Sequence, residues 1–93
     1  KIYLIDRPGS PQSVVRGVQL TPLNPRGDTL AAVTANDVLA GSFLSRLNMD
    51  LRETKGWSYG AGGAFSLNRE SAPFLVSAGV QADRTGDSLK AMD

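Results

Sequence analysis

The stretch from Gly41 to Gly63 constrains the fold of this 93-residue chain more than any other part of the sequence. Apolar residues recur there at the spacing of one helix face, at Phe43, Leu44, Leu47 and Leu51. Gly56 stands where a helix can end on a residue that tolerates positive φ, and strand-type alternation begins at Trp57. The stretch therefore predicts a helix capped by Ser42, a turn and a strand.

The remaining pattern predicts an α+β fold. Apolar alternation predicts strands at 1–6, 12–20, 57–67 and 74–82, and the last two form a hairpin across a polar loop at 68–72. Helices are predicted at 29–40, with Asp28 as N-cap, at 43–55 and from residue 83 onward. The order β-β-α-α-β-β-α favours helices packed on one face of a mostly antiparallel sheet.

Composition excludes several classes of function. The net charge is +1, from ten basic and nine acidic residues, so neither nucleic acid nor a membrane is indicated as a partner. The chain has no cysteine, which excludes disulfides and thiol chemistry. It also has no histidine, which excludes a Ser-His-Asp arrangement and a histidine-based zinc site. We therefore expect no peptide hydrolysis by this chain alone, and no compartment is indicated.

Four short motifs carry a family resemblance. The run L-R-E-T-K-G-W-S-Y-G, preceded by S-R-L-N, resembles the L-R-E-x-x-G-x-x-Y segment of the insulinase/pitrilysin family of zinc peptidases, in the half that binds no metal. I-D-R-P-G-S-P-Q-S, L-A-G-S-F and G-V-Q-A-D-R-T resemble that half as well, in family order. The family's metal motif, H-x-x-E-H, is absent. The resemblance implies that residues 1–93 are one partial domain, the latter part of the family's α/β sandwich, ending within its final helix.

The resemblance also implies roles for two residues. Arg52 matches an arginine that hydrogen-bonds the main chain of the substrate, a task that suits the fixed fork of a guanidinium. Tyr59 matches a tyrosine whose hydroxyl reaches the scissile carbonyl, where a phenol donor stabilises a developing oxyanion. Without the resemblance, Arg52 is an ordinary cation at a helix C-terminus, and Tyr59 an ordinary core aromatic.

Neighbouring residues receive structural interpretations only. Glu53 is expected to be solvated, Arg46 and Asp50 to form a surface ion pair, and Trp57 to contribute packing. The glycines from Gly60 to Gly63 precede strand residues without a following G-K-[ST], so a phosphate loop is disfavoured.

The function that this reading favours is substrate binding in a zinc metallopeptidase. The metal-bearing half, on the same chain or on a partner subunit, would hold the zinc, and a peptide would be the substrate. One alternative is a structural subunit with the same fold and no peptidase activity, and another is an unrelated binding module. Since an incomplete sheet has an unpaired edge, we also expect a homo-oligomer when the chain is isolated.

Overall fold

The computed structural model describes all 93 residues and is built around a three-stranded antiparallel sheet. The strands are β1 (Gln12–Gln19), β2 (Ser58–Phe65) and β3 (Phe74–Gln81). Their order in the sheet is β1-β3-β2, so that β3 is central and the other two strands form the edges. Ala78 of β3 lies between Val15 of β1 and Ala61 of β2, which fixes the register.

Three helices follow the predicted order. α1 (Leu30–Asn36) continues as a π-helical turn, Asp37–Gly41, and α2 (Arg46–Asn48) continues as a second one, Met49–Thr54. A 3₁₀ turn, Ala82–Arg84, leads into α3 (Thr85–Met92). Thr29 occupies the N-cap position of α1, one residue after the predicted Asp28. Asp28 still bonds the first turn, since its Oδ1 accepts the Leu30 N–H at 3.0 Å. No helix has the length and apolar character that crossing a membrane requires.

The helices cover one face of the sheet, as predicted for the α+β class. Residues that alternate inward along the strands form the core on that face, where Val15, Ala78 and Val80 pack with Leu51. Ala40, at the end of the first π-helical turn, approaches β2 closely. A Cβ built on Gly63 would lie 2.9 Å from the Ala40 Cβ, so this position needs a glycine. The helical segment therefore packs closely against the glycine-rich strand β2.

The strand predicted at residues 1–6 does not form. The segment has no regular secondary structure, and its apolar side chains from Ile2 to Ile5 are almost fully exposed. Alternation reports which side chains suit a strand, but a strand also needs a neighbour for its backbone hydrogen bonds. The observed order is accordingly β-α-α-β-β-α, and the predicted first strand is wrong for this structure.

Two local predictions around the central helix are also wrong. The helix begins at Arg46 with Ser45 as N-cap, whereas Ser42 donates its hydroxyl to the Asp37 carbonyl of the preceding turn at 3.0 Å. Asp50 forms its ion pair with Lys55 rather than with Arg46. The π-helical winding of Met49–Thr54 changes the angular spacing on which the i,i+4 pairing was based.

Candidate functional site at the helix-to-strand corner

The corner between the second π-helical turn and β2 is formed by Gly56. Its φ is +64°, the left-handed conformation that terminates many helices. The Trp57 N–H then donates to the Leu51 carbonyl at 2.9 Å, and the Trp57 carbonyl accepts the Gln81 N–H at 2.8 Å. Both backbone groups of Trp57 are thus bonded, one to the helix and one to the central strand, which fixes the direction in which β2 leaves the corner.

Arg52 lies in the π-helical turn before the corner. Its guanidinium carbon is 4.5 Å from the centroid of the Phe43 ring, within the range of a cation–π contact. Its Nε is 3.4 Å from Glu53 Oε1, so Glu53 is ion-paired as well as solvated. No hydrogen bond within the chain occupies the guanidinium, and 37% of the side chain is exposed. Arg52 therefore contacts Phe43 and Glu53, while part of its side chain remains accessible to solvent.

Tyr59 occupies a β-bulge. Ser58 pairs with Val80 and Gly60 with Gly79, so Tyr59 is an extra residue between two consecutive partners. The Ser58 hydroxyl holds this bulge, because it accepts the Gly60 N–H at 3.0 Å and contacts the Gly79 carbonyl at 2.6 Å. Tyr59 is 85% exposed, and its hydroxyl has no hydrogen-bond partner in the chain.

Arg52 precedes the corner and Tyr59 follows it, and the two side chains make no direct contact. No hydrogen bond or stacking contact joins the two side chains. Tyr59 borders a shallow depression of about 100 Å³ together with Gln12 and Gln81, whereas Arg52 lies outside it. Neither group is sealed in the core, and both side chains are accessible to solvent.

Trp57 packs, as predicted, but it also lies near two cations. Lys55 Nζ is 5.3 Å and the Arg84 guanidinium carbon 5.8 Å from the indole centroid. Lys55 is ion-paired with Asp50, and Arg84 contacts Asp87 at 3.5 Å. This network connects the corner to the start of α3 and stabilises it from the outside.

Asn48 is the residue that sequence reasoning missed. It is 3% exposed, and both ends of its side-chain amide are bonded. Nδ2 donates to the Phe43 carbonyl at 2.7 Å, and Oδ1 accepts the Ala61 N–H at 2.9 Å. The sequence does contain a signal for a buried Asn48. This polar residue lies four positions after Leu44 and next to Leu47, at the margin of an otherwise apolar helix face.

The donor set of the chain does not fit a metal ion. With neither histidine nor cysteine, only carboxylates remain as strong ligands. No group of three or more such side chains comes together in the structure.

Comparison with known proteins gives a consistent result. The sequence profile of the family described as "Peptidase M16 inactive domain" matches residues 1–93. A crystal structure of a peptidase M16 inactive domain from Pseudomonas fluorescens superposes with a TM-score of 0.77 at 29% identity, covering 87% of this chain and 20% of that one. No curated protein matches. The resemblance to the half of these peptidases that binds no metal is thereby confirmed.

Proposed function

Because this chain belongs to the family of peptidase M16 inactive domains, we propose that it contributes to the substrate-binding, non-catalytic half of a zinc metallopeptidase. The metal-bearing half, on the same chain or on a partner subunit, would hold the zinc, which supplies an activated water for peptide hydrolysis. The role of the present chain is to bind and orient the peptide. The observation that carries this proposal is Tyr59, a large aromatic residue on a bulge that leaves it 85% exposed.

The bulge presents the Tyr59 side chain to solvent. Tyr59 contributes nothing to the core cluster, and its hydroxyl bonds no group of the chain. Bulges occur next to active sites because they redirect one side chain without disrupting the rest of a strand. A phenol presented in this manner can donate to the oxygen of a scissile carbonyl. Such a hydrogen bond strengthens as negative charge develops, which lowers the barrier.

Arg52 suits the task of holding the peptide main chain. Its guanidinium carries five N–H donors in a fixed geometry. The Phe43 ring supports it at 4.5 Å, which restricts its motion before any substrate arrives. Carbonyl oxygens of an extended peptide are the matching acceptors, so Arg52 acts on binding and Tyr59 on the chemical step.

The experiment uses the full peptidase with its metal-bearing half. Tyr59→Phe removes only the hydroxyl, and we expect kcat to fall by about a hundredfold because one oxyanion donor is lost. Arg52→Ala should mainly raise KM, since it removes binding to parts of the peptide that do not react. Both variants should retain the normal zinc content, measured by atomic absorption.

The chain offers matched controls for both substitutions. Tyr3 is the other tyrosine and is 81% exposed, so Tyr3→Phe should leave kcat unchanged. Arg69 lies exposed in the loop between β2 and β3, and Arg69→Ala should leave KM unchanged. If Tyr59→Phe and Arg52→Ala were as active as these controls, the proposed roles would be wrong. The scaffold function would then be the better description.

A further inference from the structure

A single buried side chain links the two residues of the proposed site. Through Nδ2, Asn48 holds the carbonyl of Phe43, whose ring supports the Arg52 guanidinium. Through Oδ1, it holds the N–H of Ala61, two residues after Tyr59 on β2. No other side chain hydrogen-bonds both the segment that supports Arg52 and the strand that carries Tyr59.

The orientation of this amide follows from its partners. One partner is a carbonyl, which requires a donor, and the other is an N–H, which requires an acceptor, so only one assignment of the amide satisfies both. Burial prevents water from replacing either partner. Both bonds are therefore retained together, and the distance between the two backbone segments is fixed by the length of one asparagine side chain.

We infer that Asn48 is a positioning residue that sets the geometry between Arg52 and Tyr59, an inference that rests on the proposed function. A peptide held by Arg52 at one point must present its scissile carbonyl to Tyr59 at another. The backbone bonds of Trp57 set the course of the chain between these points. The placement of Phe43 relative to β2 then sets where the Arg52 guanidinium lies against the ring. Because misplacement by about 1 Å can reduce a rate by on the order of a hundredfold, loss of the Asn48 bridge should impair the chemical step more than binding.

The structure provides a matched control on the same edge of β2. Asn36 Nδ2 donates to the Gly63 carbonyl at 2.8 Å, so this buried asparagine also bonds a helix to the strand. It contacts neither Phe43 nor the bulge. Asn36→Ala and Asn48→Ala thus each remove a buried asparagine that bonds β2, but only Asn48→Ala should disturb the proposed site.

The test compares these variants in the full peptidase. Asn48→Ala should lower kcat by at least about tenfold. Asn36→Ala should leave kcat within about twofold of the parent value. Both substitutions should lower the thermal midpoint of unfolding, because each removes a buried hydrogen bond. In Asn48→Ser, the side chain retains one hydrogen-bonding group but is too short to reach both partners. This variant replaces Asn48→Ala in the test if the alanine variant does not fold. We expect it to show the same selective loss of kcat.

A double-mutant cycle separates positioning from stability. If Asn48 acts through Arg52, the effect of Asn48→Ala on kcat/KM should shrink in an Arg52→Ala background, whereas a purely structural effect would be additive. The inference is overturned if Asn48→Ala and Asn36→Ala lower kcat equally, or if the cycle is additive. In those outcomes a strong effect of Tyr59→Phe would still support the proposed function, but a normal rate for both Arg52→Ala and Tyr59→Phe would overturn both proposals.

Discussion

Gly56 decides where the central helix ends and where β2 begins. Its φ of +64° lies in the region that costs a residue with a Cβ about 1–2 kcal/mol. Space is not the constraint, because a Cβ at this position would have no neighbour within 4 Å. The glycine is therefore required by backbone conformation alone, a requirement that is local and readable from the sequence.

We accordingly expect Gly56→Ala to lower the free energy of unfolding by about 1–2 kcal/mol. Gly86→Ala is the matched control, since Gly86 lies in α3 without positive φ and a Cβ there also meets open space. That substitution should be neutral or stabilising by up to about 1 kcal/mol, because alanine favours a helix. Urea denaturation of both variants measures the difference. Equal effects would show that the corner does not depend on positive φ.

At the scale of elements, the three strands differ in how much of their backbone is hydrogen-bonded to a neighbour. β3 is bonded on both sides, and β2 has its outer edge partly covered by the amides of Asn36 and Asn48. β1 has no neighbour on its outer edge, which is the usual condition for adding a further strand. Residues 1–6 have the side chains of a strand but no bonded neighbour. The protection of backbone amides against hydrogen exchange should therefore differ sharply along the chain.

Hydrogen exchange of the 93-residue chain measures this difference. Amides at residues 2–5 should exchange at the rate of an unstructured peptide, because no backbone group accepts from them. Amides of β3 (Phe74–Gln81) should be the slowest of the sheet. Strong protection at residues 2–5 would contradict the structure and would restore the strand that the alternation predicts.

At the scale of the whole molecule, the chain exposes more surface than its size requires. Its accessible area is 6955 Å², roughly a third more than a compact monomer of this mass exposes. Its radius of gyration is 14.9 Å, compared with about 12 Å for a compact domain of this length. The molecule is only 16 Å across its thinnest dimension. Exposed apolar residues such as Val14 and Val18 lie on the sheet face that no helix covers.

We therefore expect the isolated chain to self-associate, because burying such apolar area is favourable at about 25 cal/mol per Å². Sedimentation equilibrium over a range of concentrations should show an average mass above that of the monomer. Replacing both Val14 and Val18 by lysine should weaken the association. A monomer at every concentration would contradict this expectation.

The sequence by itself determined what depends on neighbours along the chain. The helical face around Leu47 and Leu51, the stop at Gly56 and the strand after it are local, and so the α+β class could be predicted. The four motifs likewise identified the family, because they are contiguous residues.

The tertiary structure decided whatever depends on a partner distant in sequence. The bulge at Tyr59 arises from the pairing of β2 with β3, and the bridge at Asn48 from the docking of a helix on that strand. The missing first strand has the same origin, since apolar alternation cannot supply the neighbour that a strand needs. Side-chain patterns encode local conformation, whereas backbone register and buried hydrogen bonds are fixed only when separate elements pack together.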